Sequence, residues 1–131
     1  MERKGMRKAS LGPSGRPRSG TIEKQSVTVD GVTATRVTFA PGARWSTELA
    51  AKAGTPSCLA PHVALVLAGV LRVRMDDGAE EDFGPDDVML LPPGHDAWSL
   101  GDEPCVFVEF SRGYEDYARA TGIASPAERL G

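Results

Sequence analysis

Three side chains in this sequence carry the donors of a soft metal site: the thiol of Cys58 and the imidazoles of His62 and His95. Thiolate and imidazole suit zinc, iron or copper better than manganese, because sulfur is a softer ligand than carboxylate oxygen. Ligand bonds of about 2.0–2.3 Å require the donors to stand close together. Cys58 and His62 share strand parity, yet on one straight strand they would be about 13 Å apart at ~3.3 Å per residue. A shared ion therefore requires a bend at Leu59-Ala60-Pro61, and Pro61, with no N–H, disfavours a continuing central strand. His95 follows Pro92-Pro93-Gly94, a rigid turn that fixes where the next strand starts. The competing reading is bland: a buried free cysteine is usually a small hydrophobe.

Other candidates carry less. Cys105, in Cys-Val-Phe-Val-Glu-Phe, shares a strand face with Phe107 and Glu109 and reads as core packing. Trp45, Val66 and Trp98 are candidates for lining a ligand pocket, although large aromatics are also ordinary core anchors. Asp96 points to the opposite strand face from His95 and so cannot orient that imidazole directly. The acidic run Asp76, Asp77, Glu80, Glu81 and Asp82 lacks the spacing of a calcium loop and reads as a solvated hairpin. Ser57 has no G-x-S-x-G setting, and no Gly-rich phosphate loop opens a helix, so a serine hydrolase and a nucleotide-binding fold lack support.

The elements that must hold these residues are nearly all strands. Gln25 to Phe39 alternates branched and polar residues around Asp30-Gly31, a dipeptide suited to a tight hairpin turn. Pro41-Gly42 breaks the chain before Ala43 to Leu49. His62 to Met75 is an apolar run with Gly69 inside it, which implies a bulge, a bend or a close backbone approach. Turns at Asp76-Asp77-Gly78, Gly84-Pro85-Asp86-Asp87 and Gly101-Asp102-Glu103-Pro104 set off further short strands, and only residues 114 to 120 look helical. Eight or more short strands about ten residues apart describe an all-β antiparallel sandwich or barrel. In residues 62 to 68 both strand faces are apolar, which predicts a covered outer face and hence a homodimer. The N-terminal hairpin or the C-terminal helix is the alternative cover.

Composition bounds the class. The chain has 131 residues, a formal charge of −3 and two cysteines, which fits one domain and excludes a disulfide scaffold or a four-cysteine zinc site. No stretch approaches ~18 uninterrupted apolar residues, so a membrane-spanning helix is not expected. Residues 1 to 20 hold six Lys or Arg and one Glu, while the remainder holds nine basic and seventeen acidic residues. The first segment reads as a disordered basic arm, followed by a domain over residues 21 to 111 and a tail over 112 to 131 with a short helix. The acidic body argues against nucleic acid as a partner. The absence of a secretory apolar run predicts a cytoplasmic protein.

Residues 39 to 110 resemble the cupin family of small β-barrels. Its first motif reads G-x5-H-x-H-x3/4-E-x6-G and its second G-x5-P-x-G-x2-H-x3-N. Gly69 matches the closing glycine of the first, within Val66 to Val73, and Pro92 and Gly94 match the second. Counting back from Gly69 puts His62 at the position of the family's Glu, Cys58 at its second His and Pro56 at its first. The second motif's His position is Ala97, with His95 two residues earlier. The sequence is most similar to a cupin branch with C-x3-H in motif 1 and P-P-G-H-D-x-W in motif 2, here Cys58 to His62 and Pro92 to Trp98.

The resemblance implies a single antiparallel jelly-roll barrel with a short C-terminal helix. It also implies one divalent transition metal (zinc, iron or copper) on Cys58, His62 and His95, with Glu48 or a water as the fourth ligand, and a small organic molecule bound or transformed in the barrel. The competing expectation is a metal-free binding or sensory cupin that has lost the ancestral site.

Overall fold

The computed structural model describes residues 5–13 and 20–122. The chain runs through β1 (Ile22–Val29), β2 (Val32–Phe39), α1 (Trp45–Glu48), α2 (Ala50–Ala53), β3 (His62–Ala68) and β4 (Val70–Met75). It continues through β5 (Glu80–Phe83), β6 (Val88–Leu91), β7 (His95–Leu100), β8 (Cys105–Phe110) and α3 (Tyr114–Thr121). All strand pairs are antiparallel, in one sheet of order β1-β2-β8-β3-β6 and a second of order β5-β4-β7.

This is a two-sheet arrangement and not the single closed barrel expected from the sequence. The chain passes between sheets at Gly69, through Gly84-Pro85-Asp86-Asp87, at Pro92-Pro93-Gly94 and through Gly101 to Pro104. Four prolines sit at these passages, and a residue without an N–H cannot carry a ladder around the corner. The inner faces close on one another around Val37, Phe39, Val66, Leu71, Met89 and Phe107.

Gly69 is where the long apolar run changes sheets. Its φ is +71°, and an added Cβ would stand 2.3 Å from the Pro104 carbonyl oxygen and 2.7 Å from Cys105 Cα. The register of β3 on β8 shifts between Val66 and Ala68 just before it. The bend and the close backbone approach read from the sequence are therefore both present. The β1–β2 hairpin turns at Asp30 and Gly31, both at positive φ, with Val29 opposite Val32.

Residues 45 to 53 are helical, which the strand-dominated reading did not anticipate. Ala50, Ala51 and Ala53 favour helix, and Gly54 ends it in the left-handed conformation. Part of the expected disordered arm also has a defined place. Arg36 and Gln25 donate to the carbonyls of Gly12 and Pro13, and Arg7 pairs with Asp30 at 3.0 Å. The rest of that arm, residues 1–4 and 14–19, and the tail from 123 onward lie outside the described residues. On β3, Ala64 and Val66 face the core, whereas Leu65 and Leu67 stand exposed on the outer face, covered by neither the hairpin nor α3. No helix among the described residues is long and apolar enough to cross a membrane.

Gly69→Ala is expected to destabilise the fold by about 2 kcal/mol or more, because left-handed strain adds to a backbone collision. Gly101→Ala, at φ +80° with nothing within 4 Å of the new Cβ, carries only the conformational strain. Equal falls in melting temperature for the two variants would contradict the close approach at Gly69.

Candidate metal centre

The site is assembled where the two sheets meet. After α2 the chain returns to β7, and Cys58 forms an isolated antiparallel bridge with His95. Cys58 N–H donates to His95 O at 2.7 Å, while Gly94 and His95 donate to Cys58 O at 2.7 and 3.2 Å. The chain then turns through Leu59-Ala60-Pro61 and enters the larger sheet as β3, with His62 opposite Leu91 of β6. The bend that a shared site required is therefore present. It sets Cys58 beside β7 and His62 on β3.

The ligand atoms of Cys58, His62 and His95 all lie within 4.8 Å of one another. Cys58 Sγ is 3.6 Å from His62 Nε2. Two tetrahedral ligands with bonds near 2.3 Å (sulfur) and 2.05 Å (nitrogen) stand about 3.6 Å apart, so this pair already has the separation a zinc ion needs. The rings of His62 and His95 are 5.1 Å apart at 65°, edge to face. His95 Nδ1 lies 2.8 Å from the Pro92 carbonyl, and His62 Nδ1 is hydrogen-bonded to Glu109 Oε2. An acceptor on each Nδ1 fixes its proton there and leaves the Nε2 lone pairs for a metal.

The electrostatics follow from the same contacts. Burial pushes the Cys58 thiol up, but hydrogen bonds from His62 and His95 and the charge of His95 outweigh it and bring the value down to about 6. Burial depresses His62, whereas its bonds to Cys58 and Glu109 raise it to about 9. Burial raises the Glu109 carboxyl, and His62 more than reverses this, holding it below its ordinary value. Without metal, Cys58 and His62 thus form a thiolate–imidazolium pair backed by a carboxylate. Cys105, with no exposure and no such partner, is pushed up to about 12 by burial, in keeping with a packing role.

Beside the pair lies a narrow cavity of about 30 Å³, room for roughly two waters. His62, His95 and Glu109 face it together with Phe39, Leu71 and Phe107, and the exposed Lys24 stands at its rim. The residues expected to line a ligand pocket lie elsewhere. Trp45 and Val66 are buried in the core, and Trp98, one strand position off the His95–Ala97 face, lies under the Arg44 guanidinium at 4.3 Å. Glu48, expected as a fourth ligand, closes α1 outside the group of three, and its neighbour Leu49 reaches the cavity instead. Asp96 points away from His95, as its parity implied, and binds Arg44 and Ser46. Glu109 is the residue the sequence reading did not single out, although its place on one face with Cys105 and Phe107 was the signal. An acid on the interior face of a strand must find a partner.

No family model and no curated protein matches the chain. Solved structures do. A cupin superfamily protein from Desulfitobacterium hafniense is 20% identical, with TM-score 0.51 over 78% of this chain and 96% of that one. A cupin-like protein from Thermotoga maritima is 18% identical, with TM-score 0.53 over 78% and 86%. An RmlC-like cupin with a double-stranded β-helix fold from Methanocaldococcus jannaschii is 10% identical, with TM-score 0.55 over 88% and 99%. At these identities the likeness defines the fold alone: the chain has the cupin, double-stranded β-helix architecture.

The ion pair has a pH signature. His62 alone, raised from 6.5, stabilises the fold below pH 6.5 and ceases to do so as pH rises through about 9. Cys58 alone, lowered from 9.0, stabilises it above pH 9.0 and ceases to do so as pH falls through about 6. Between these limits the folded and unfolded pairs each hold one proton, so the two slopes cancel and the pair leaves stability flat with pH. In metal-free protein the thiolate absorbance is expected to rise in one step near pH 6, and His62→Ala moves that step upward. A wild-type step at the ordinary thiol value would contradict the arrangement.

Proposed function

We propose that this protein is a small metal-binding cupin, in which Cys58, His62 and His95 hold one divalent zinc, iron or copper ion that acts on a small organic molecule. The observation that carries this reading is the convergence of one thiol and two imidazoles whose Nδ1 atoms are both taken by acceptors. Core packing alone does not require a buried and a half-buried histidine to gather their ring nitrogens around a cysteine. A bound ion of this kind polarises a carbonyl or lowers the pKa of a coordinated water. The chain's own contribution is to orient the donors and to limit the adjoining space with Phe39, Leu71 and Phe107. The C-x3-H and P-P-G-H-D-x-W motifs, here Cys58 to His62 and Pro92 to Trp98, support assignment to a branch whose ligands differ from the family's usual set.

A second reading is a metal-free cupin that binds or senses a small molecule. It is favoured by the closed hydrogen-bonding of Cys58, His62 and Glu109, which satisfies the site without an ion. We also infer a homodimer, from exposed Leu65, Leu67, Val88 and Phe110 on the outer face of the larger sheet.

Elemental analysis after reconstitution separates the two functional readings. Wild-type protein is expected to hold close to one metal per chain, His62→Ala less than about a tenth of that, and Cys105→Ala and Glu48→Ala the full amount. Wild-type protein that takes up no zinc, iron or copper would establish the metal-free reading instead.

A further inference from the structure

The two histidines are held by unlike partners. His95 Nδ1 meets a neutral backbone carbonyl, that of Pro92, whereas His62 Nδ1 meets the carboxylate of Glu109. Glu109 occupies an interior position of β8, opposite Ala64 of β3 and Thr35 of β2, in line with Phe107 and Cys105. A carboxylate among such neighbours is costly unless it is paired, and the group it pairs with is a candidate ligand. The charge facing it from the other side is Lys24 of β1, at the cavity rim.

We propose that Glu109 is the positioning residue of the centre, holding the His62 ring so that Nε2 faces Cys58 and biasing the site toward divalent over monovalent ions. This rests on the metal-binding reading above. The first half follows from geometry. Without an acceptor at Nδ1 the ring can rotate and present either nitrogen, and the 3.6 Å spacing from Sγ to Nε2 is lost for part of the population. A carboxylate on the second nitrogen also makes the imidazole a stronger donor than a carbonyl does, so His62 is the better electron donor of the two histidines. The second half follows from charge. A divalent ion on one thiolate and two neutral imidazoles carries a net +1, which the Glu109 carboxylate neutralises. Copper(I) on the same donors is already neutral and gains little from it.

The test uses the full chain and the metals themselves. Affinities for cobalt(II), zinc(II) and copper(I) are measured by chelator competition for wild type, E109Q, E109A and H62A, with the cobalt(II) absorption spectrum recorded for each. E109A is expected to lose about 10–100-fold for cobalt(II) and zinc(II) and clearly less for copper(I). E109Q, near-isosteric and still offering an acceptor oxygen, recovers part of the loss for each divalent ion. It also keeps the thiolate band of the cobalt form, which guards against a variant that merely unfolds.

Wild-type affinity in E109A, with H62A unable to bind, would overturn this inference and leave the metal centre standing. Equal losses for divalent ions and copper(I), tracking the fall in melting temperature, would overturn it in favour of a purely structural role. Wild-type protein that binds none of the three metals would overturn the centre and this inference together.

Discussion

The backbone bridge between Cys58 and His95 is the constraint on which the site depends. Three hydrogen bonds, from Cys58 N–H to His95 O and from Gly94 and His95 N–H to Cys58 O, tie an irregular segment to the first residue of β7. With Cys58 fixed there, the three residues Leu59-Ala60-Pro61 are just enough to carry the chain to β3 and bring His62 back to the same point. Release of the bridge would separate the thiol from both imidazoles. The rigid Pro92-Pro93-Gly94 turn serves the same end from the other side, since Pro92 supplies the carbonyl that orients His95.

Around this clamp, the placement of polar groups follows from burial. His95 is 2% exposed and Cys58 6%, so neither can rely on water for its hydrogen bonds. Each has found protein partners, and in the resulting row the His62 ring stands between the Glu109 carboxylate and the Cys58 sulfur, pairing with both. Cys105 is the counter-example in the same molecule. The same side chain without a basic neighbour keeps its proton, and its surroundings are aliphatic and aromatic. Chemistry at Cys58 thus comes from its neighbours and not from its residue type.

Much of the fold was legible because it is written locally. Asp30-Gly31 named its hairpin, the strand spacing named an antiparallel sandwich or barrel, and Gly69 marked a bend in a fourteen-residue apolar run, the point where it changes sheets. The grouping of Cys58, His62 and His95 was legible only as a condition, namely a bend at Pro61. What the sequence hid depends on which surfaces meet in space. Whether eight strands close into one barrel or remain as two sheets is set at proline-bearing corners whose pairing no local pattern reports. The short helices over residues 45 to 53 were masked by their position between strands. Glu109 was hidden by distance, 47 residues from His62 along the chain and its hydrogen-bond partner in the fold. Glu48, which the resemblance implied as a fourth ligand, closes α1 and stays outside the group of donors.

The central claim is that one ion sits on one sulfur and two nitrogens, and X-ray absorption at the zinc edge of the reconstituted protein tests it most directly. The account predicts one sulfur scatterer at about 2.3 Å and two imidazole nitrogens at about 2.0–2.1 Å in the zinc shell. A shell with no sulfur, made only of nitrogen and oxygen, would contradict it.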